Sequence, residues 1–224
     1  MPSKPNLIIL GPSGSGKTSS LEGLFKKHGP TIAFIDHERK GLPFLYDVSQ
    51  LAQFSEVETW EQAQVAFTKA KQDSKVHLIV YDSFTNYLEQ LHAKVKTCNT
   101  GWDIWNAYND GVRAFFEFNK STGKLWIMTA IDEVVYVEQA EGSRVSRVRV
   151  AIQGKKWEGK VEPQFLCVLY CTTVKGKDGM MKHVFRSGTD GITSAKTPQW
   201  LGLANEIPND VCPIVDKLIE AKLV

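Results

Sequence analysis

A mostly parallel α/β sheet flanked by helices, continued by antiparallel β-hairpins and closed by a helix, is the fold class this chain predicts. Three observations carry it. Up to Ala130, short apolar runs alternate with stretches of helical periodicity, the pattern of strands joined by crossover helices. A glycine-rich loop stands between the first apolar run and the first helical stretch. Beyond Ala130 the pattern turns to alternating residues around glycine-containing turns, as in hairpins. In order, Leu7–Leu10 is a buried strand, and Ser19–Lys27 a helix with Leu21, Leu24 and Phe25 on one face. Thr31–Asp36 (TIAFID) is the second strand. Thr59–Ala70 is a helix opened by a capping box, with Thr59 and Gln62 as its two members. Leu78–Asp82 (LIVYD) is the third strand and Phe84–Val95 a helix. In Ile104–Asn119 the positions Ile104, Tyr108, Val112, Phe115 and Phe116 form one helical stripe. Leu125–Ala130 (LWIMTA) is the fourth strand, Val134–Val150 and Phe165–Arg186 are hairpins, and Asp210–Leu223 closes the chain as a helix. That last helix turns Val211, Ile214, Val215, Leu218 and Ile219 inward.

With 224 residues, 42% hydrophobic and 23% charged, the chain suits one large globular domain, and no Pro/Gly-rich linker divides it. Its apolar runs are too short to span a membrane and its N-terminus lacks a signal-peptide core. The expectation is a cytoplasmic protein with no membrane partner. Cys98, Cys167, Cys171 and Cys212 form no C-x-x-C pair and have no histidine at zinc-ligand spacing. Cys167 and Cys171, in FLCVLYC, read as small buried groups. The net charge of +2 means that any nucleic-acid role must come from local patches.

Residues 11–18, GPSGSGKT, match G-x-x-x-x-G-K-[ST], the loop whose backbone amides cradle nucleotide phosphates. Gly11, Gly14 and Gly16 allow the backbone to turn several amides toward one anion, and Pro12, Ser13 and Ser15 complete the loop. Lys17 reaches the β/γ-phosphates of ATP and the Thr18 hydroxyl serves Mg²⁺. A second Mg²⁺ group is required, and Asp82, at the end of HLIVYDS, supplies a carboxylate at a strand terminus. Hydrolysis also needs a group to activate water. Asp36 and Glu38 in FIDHER lie at the carboxyl end of the second strand, where ligands of open α/β sheets bind. Their two-residue spacing puts them on one side of an extended chain, and Glu38 is the candidate base. The alternative is a surface ion pair of Glu38 with Arg39 or Lys40. A GTPase is disfavoured because Asn119-Lys120 is followed by Ser121-Thr122 rather than completing Asn-Lys-x-Asp.

The order GPSGSGKT, FIDHE, LIVYDS resembles the RecA-type recombinase core, and more closely the compact bacteriophage RecA-core ATPases that accompany single-strand DNA-binding proteins and promote annealing. The resemblance covers most of residues 5–222 and implies a single RecA-like P-loop NTPase domain over 1–224. It implies catalytic roles for Lys17, Glu38 and Asp82, with Glu38 activating water and Asp82 serving Mg²⁺. It also implies a homo-oligomer, ring or filament, acting on single-stranded DNA, in the host cytoplasm if the protein is phage-encoded. One departure stands out. Where this family often ends its fourth strand in Thr-Ala-His, the chain has Thr129-Ala130-Ile131, so Thr129 is the sensor candidate, with Asp132 or Glu133 as substitutes.

In that family the stretches after the third and fourth strands hold the DNA, and here residues 132–160 form the corresponding hairpin and loop. Arg144, Arg147, Arg149, Lys155, Lys156 and Lys160 outweigh Glu138, Glu141 and Glu158, with Tyr136 and Trp157 interleaved. Cations for phosphates and aromatic faces for bases are the means of single-strand binding. The alternation Arg147-Val148-Arg149-Val150 sets the arginines on one strand face; a solvated hairpin with basic residues guarding its edge is the alternative. Lys94, Lys96, Trp102 and Trp105 are a second set, in which the tryptophans read as core. Lys182, Arg186 and Lys196 fall where the family keeps the cation that completes a neighbour's site. A P-loop kinase acting on a nucleotide or metabolite, and an ATP-switched accessory or helicase-loader module, are the competing readings.

Overall fold

The computed structural model describes residues 6–138 and 143–221. Five parallel strands run from the middle of the sheet to one edge: β1 (Asn6–Leu10), β2 (Ile32–Asp36), β3 (Gln53–Glu56), β4 (Leu78–Asp82) and β5 (Leu125–Ala130). With β8 (Cys167–Lys175), β9 (Met181–Arg186) and β10 (Glu206–Pro208), the order is β10-β9-β8-β1-β5-β4-β2-β3. Apart from β3, an edge strand of four residues of which only Phe54 is apolar, these strands are fully buried and mostly apolar runs, as a sheet covered on both faces demands.

Alternation along these strands separates two cores. Ile8, Leu10, Ile35, Ile79, Tyr81, Trp126 and Met128 face α2 (Trp60–Gln72), α3 (Phe84–Cys98) and α4 (Trp102–Ser121). Leu7, Ile9, Phe34, Val80 and Ile127 face α1 (Glu22–His28) and α5 (Cys212–Glu220). The Thr59/Gln62 capping box opens α2 as the sequence requires, both of its reciprocal bonds being present. The stripe on α4 is buried at Tyr108, Val112, Phe115 and Phe116, where rings from Phe84, Tyr87 and Trp126 meet them.

The structure departs from expectation in several places. The segment after the glycine-rich loop begins as a 3₁₀ turn, Ser19–Leu21, before α1; Val211 N donates to Ser20 O and Leu21 N closes on Thr18 O, which tightens that turn. β3 and β10 were not foreseen, being short edge strands. β8 is not simply one arm of a hairpin: it pairs parallel with β1 and antiparallel with β9, so it extends the main sheet. Among the described residues, only β6 (Asp132–Glu138) and β7 (Arg144–Val150) form a separate antiparallel pair. Ile219, expected to face inward, is 37% exposed. Glu141 and the end of the closing helix beyond residue 221 lie outside the described residues.

Candidate nucleotide site and basic face

The carboxyl ends of β1, β2 and β4 meet at a cavity of about 300 Å³ lined by Ser13, Gly14, Gly16, Lys17, Thr18, Asp36, Glu38 and Asp82. Gly14 and Gly16 take φ of 75° and 96°, the left-handed region that lets the loop turn back on itself. Gly16 has a second reason: a Cβ there would lie 2.8 Å from both Asn209 Nδ2 and His183 Cγ. Gly11 is crowded too, its would-be Cβ falling 2.3 Å from the Cys171 carbonyl oxygen. The loop is therefore seated against the late strands. Asn209 Nδ2 donates to Gly16 O (2.9 Å), and the Cys171 thiol lies 2.9 Å from Ser15 O. Burial pushes that thiol up to about 11, so it remains a donor. The Ser15 hydroxyl is buried without a partner among the described residues.

Lys17 is 7% exposed, and its ammonium donates to Gly11 O (2.8 Å) and Pro12 O (2.9 Å). Burial lowers its pKa, with Glu38 and Asp82 opposing. Asp82 is held on both oxygens: Thr18 Oγ1 donates to Oδ2 (2.7 Å), and Thr129 Oγ1 donates to Oδ1. Burial pushes its carboxyl up to about 6, against the pull of those two hydroxyls. Thr129 itself is wholly buried and does not line the cavity, so the sensor position is occupied by a group committed to Asp82. Of the substitutes, Asp132 accepts from the Tyr170 hydroxyl (3.0 Å), and Glu133 Oε1 lies 3.4 Å from Ile152 N; neither lines the cavity. Ile131 does line it.

Asp36 and Glu38 reach the cavity by a turn and not by continuing the strand. β2 ends at Asp36, the amides of His37 and Glu38 both donate to Asp82 O, and Asp36 Oδ1 accepts from Arg39 N (2.8 Å). Arg39 takes φ 54° within that turn and pairs with Glu58. Burial raises the pKa of Asp36. The Glu38 side chain is 16% exposed and pairs with Lys40 (2.8 Å) at the cavity wall, so the surface pair and the site residue are the same carboxylate. His37, between them, is buried; its Nδ1 lies 2.7 Å from the Tyr81 hydroxyl, and burial lowers its pKa to about 4. His183, Asn209 and Cys171 escaped the sequence reading. The only signal for His183 is its alternation with buried Phe185 along β9, which sets both on the same strand face.

The basic segment divides in two. On β7, Val148 and Val150 are buried and Arg147 and Arg149 lie on the other face. These arginines line a cleft of about 310 Å³ together with Lys196, Thr193 and Glu162. Arg149 pairs with Glu158 (3.3 Å), and Arg144 with Glu138 (3.0 Å). Lys155 and Lys156 belong elsewhere, at a second cleft with Trp102 and Trp105. Trp157 is not a free aromatic face, because its Nε1 donates to Asn109 O and its ring packs on Phe116. The core assignment of Trp102 is corrected: it is 83% exposed. Among the finger candidates, Lys182 pairs with Asp178 (2.8 Å) and Arg186 with Asp190 (2.5 Å), while Lys196 sits with the β7 arginines. None of the three lines the nucleotide cavity.

No helix of the described residues is long and apolar enough to cross a membrane. No curated protein matches the chain. A family model described as AAA domain matches residues 3–200, which span the glycine-rich loop, every central strand and the basic face. Match and geometry agree, and the chain belongs to the AAA domain family of P-loop ATPases.

Proposed function

We propose that the chain is a Mg²⁺-dependent ATP hydrolase of RecA type that binds single-stranded DNA and promotes annealing or recombination as an oligomer. One observation carries the hydrolase: Lys17, Thr18, Asp82 and Glu38 converge on one cavity from three separate strand ends. Besides Asp82, the carboxylates that line the cavity are Asp36 and Glu38. Asp36 is spent on the Arg39 amide. Glu38, whose partner at the cavity wall is the exposed Lys40, is the candidate base.

The residues fit a magnesium nucleotide. The left-handed glycines open the loop backbone to an anion, the buried Ser15 hydroxyl is unpartnered, and Thr18 and Asp82 place two hard oxygen donors side by side. Bound Mg²⁺ would neutralise charge on the phosphate oxygens. Glu38 takes a proton from the attacking water as its oxygen bonds to the terminal phosphorus of ATP and the bond to the bridging oxygen breaks, leaving ADP and phosphate. Lys17 meets the negative charge of the transferred group. Thr129 acts behind Asp82 as a positioning residue. Lys182, Arg186 and Lys196 do not line the chain's own cavity, and in this reading they serve the cavity of a neighbouring subunit. The cleft of Arg147, Arg149 and Lys196 supports nucleic-acid phosphates as ligands.

ATP hydrolysis with and without single-stranded DNA tests this reading. DNA raises turnover, and Glu38→Gln lowers it by roughly 10²–10⁴-fold while nucleotide binding persists. Unchanged turnover in Glu38→Gln rejects the base. Phosphate delivered to a small acceptor, with no effect of DNA, replaces the hydrolase by a kinase.

A further inference from the structure

The second cleft, about 460 Å³, lies between the start of α4 and the loop after β7, away from the nucleotide cavity. Its walls are Trp102, Trp105, Asn106, Asn109, Gly154 and the Lys155–Lys156 pair, with no carboxylate among them. Three contacts fix it. The Tyr108 hydroxyl donates to Gln153 Oε1 (3.0 Å), and Trp157 Nε1 donates to Asn109 O (3.3 Å). Gly154, at φ 76°, lies so close to the Trp105 ring that a Cβ would stand 2.8 Å from it. Trp105 is in turn held by a stacked contact with His92, ring centroids 5.1 Å apart. One indole is thus anchored as a wall and the other, Trp102, stands free at the rim.

Trp102 is 83% exposed beside the half-buried Trp105, and the groups around the two indoles describe the ligand they suit. Lys155 and Lys156 make no ion pair with any described residue, unlike Arg144 and Arg149. Asn109 is buried and lines the cleft, and its side-chain amide has no hydrogen-bond partner among the described residues. A flat apolar face, two free ammonium groups and an unspent amide suit a ligand with an aromatic plane, polar edges and flanking anionic charge.

We propose that this cleft is a base-stacking site for single-stranded nucleic acid: an unpaired base lies on Trp102, its edge meets Asn106 and Asn109, and the adjoining phosphates meet Lys155 and Lys156. The inference rests on the single-stranded DNA reading above and adds to it a site that binds bases, distinct from the β7 arginines that bind backbone. The cleft accepts any base, because stacking uses a face that all bases share.

The test compares a labelled oligothymidylate with an abasic oligomer of equal length and charge, by fluorescence anisotropy at one salt concentration, on the full chain. The protein binds the oligothymidylate about tenfold more tightly than the abasic strand, the range of one stacked base. Trp102→Ala removes that tenfold and leaves the abasic affinity unchanged, while Trp102→Phe keeps most of it. Lys155→Ala with Lys156→Ala weakens both strands alike. Thermal melting of each variant confirms that it folds. Equal affinity of the unaltered protein for both strands overturns the stacking site and leaves DNA binding in place. Failure to bind either strand overturns the DNA reading itself. Unchanged oligothymidylate binding in Trp102→Ala, with self-association lost in sedimentation, overturns the proposal in favour of a contact between copies of the chain.

Discussion

The nucleotide cavity and the basic face are built on opposite plans. Around the cavity nearly every polar group is already engaged: Lys17 with its own loop, Asp82 with two hydroxyls, Glu38 with Lys40, the loop itself with Asn209 and Cys171. Across the basic face Lys155 and Lys156 pair with no described residue, and Trp102, the most exposed aromatic ring among the described residues, stands at a cleft rim. The cavity's groups are held in place before any ligand arrives, as transition-state stabilisation requires. The face is left open, as suits a ligand bound by charge and stacking at many equivalent positions.

Four measurements break or sharpen that contrast. The largest effect belongs to Lys17→Ala, which lowers ATP turnover by about 10²-fold or more, because the charge stabilising the transferred group is lost. Its thermal stability changes little, since Lys17 bonds only to its own loop; steady-state kinetics and a melt check both halves. Next, Thr129→Val leaves one oxygen of a buried carboxylate without its donor, and costs about 1–3 kcal/mol of stability in denaturant titration. A third effect concerns pH. Burial sets His37 near 4 in the folded chain, against an ordinary value of 6.5, so the unfolded chain binds the extra proton between them. Stability therefore falls as pH drops from 6.5 toward 4, and His37→Asn flattens that limb of a pH series of melts. The smallest is Arg147→Ala, which lowers the slope of log affinity for single-stranded DNA against log salt by about 1. An unchanged slope removes Arg147 from the contact set.

Much of the fold was legible because it depends on local pattern. β1, β2, β4 and β5 are continuous apolar runs, and a sheet covered on both faces leaves such runs no other reading. β3 and β10 are short, part-polar edges whose pairing is set by their neighbours, so their residues carry little signal. At the site, spacing placed Lys17 and Thr18, and strand ends placed Glu38 and Asp82. It did not reveal Thr129 behind Asp82, or His183 and Asn209 against Gly16, because those contacts join segments far apart in the chain. Trp102 misled for a related reason. It is adjacent to a true helical stripe, but at the first position of α4, before the helix meets the core.

Ile131 has a wider consequence. Its side chain walls the nucleotide cavity, its amide donates to Thr85 Oγ1 (2.9 Å), and its carbonyl accepts from the amide of Ala151 at the exit of β7 (3.0 Å). One residue is thus the shared fulcrum of two levers, the cavity wall and the hairpin. A ligand that displaced either arm would strain the other through the same peptide. If the hairpin holds a strand as proposed, linkage requires symmetry: whatever factor bound nucleotide adds to that hold, the strand returns to the nucleotide.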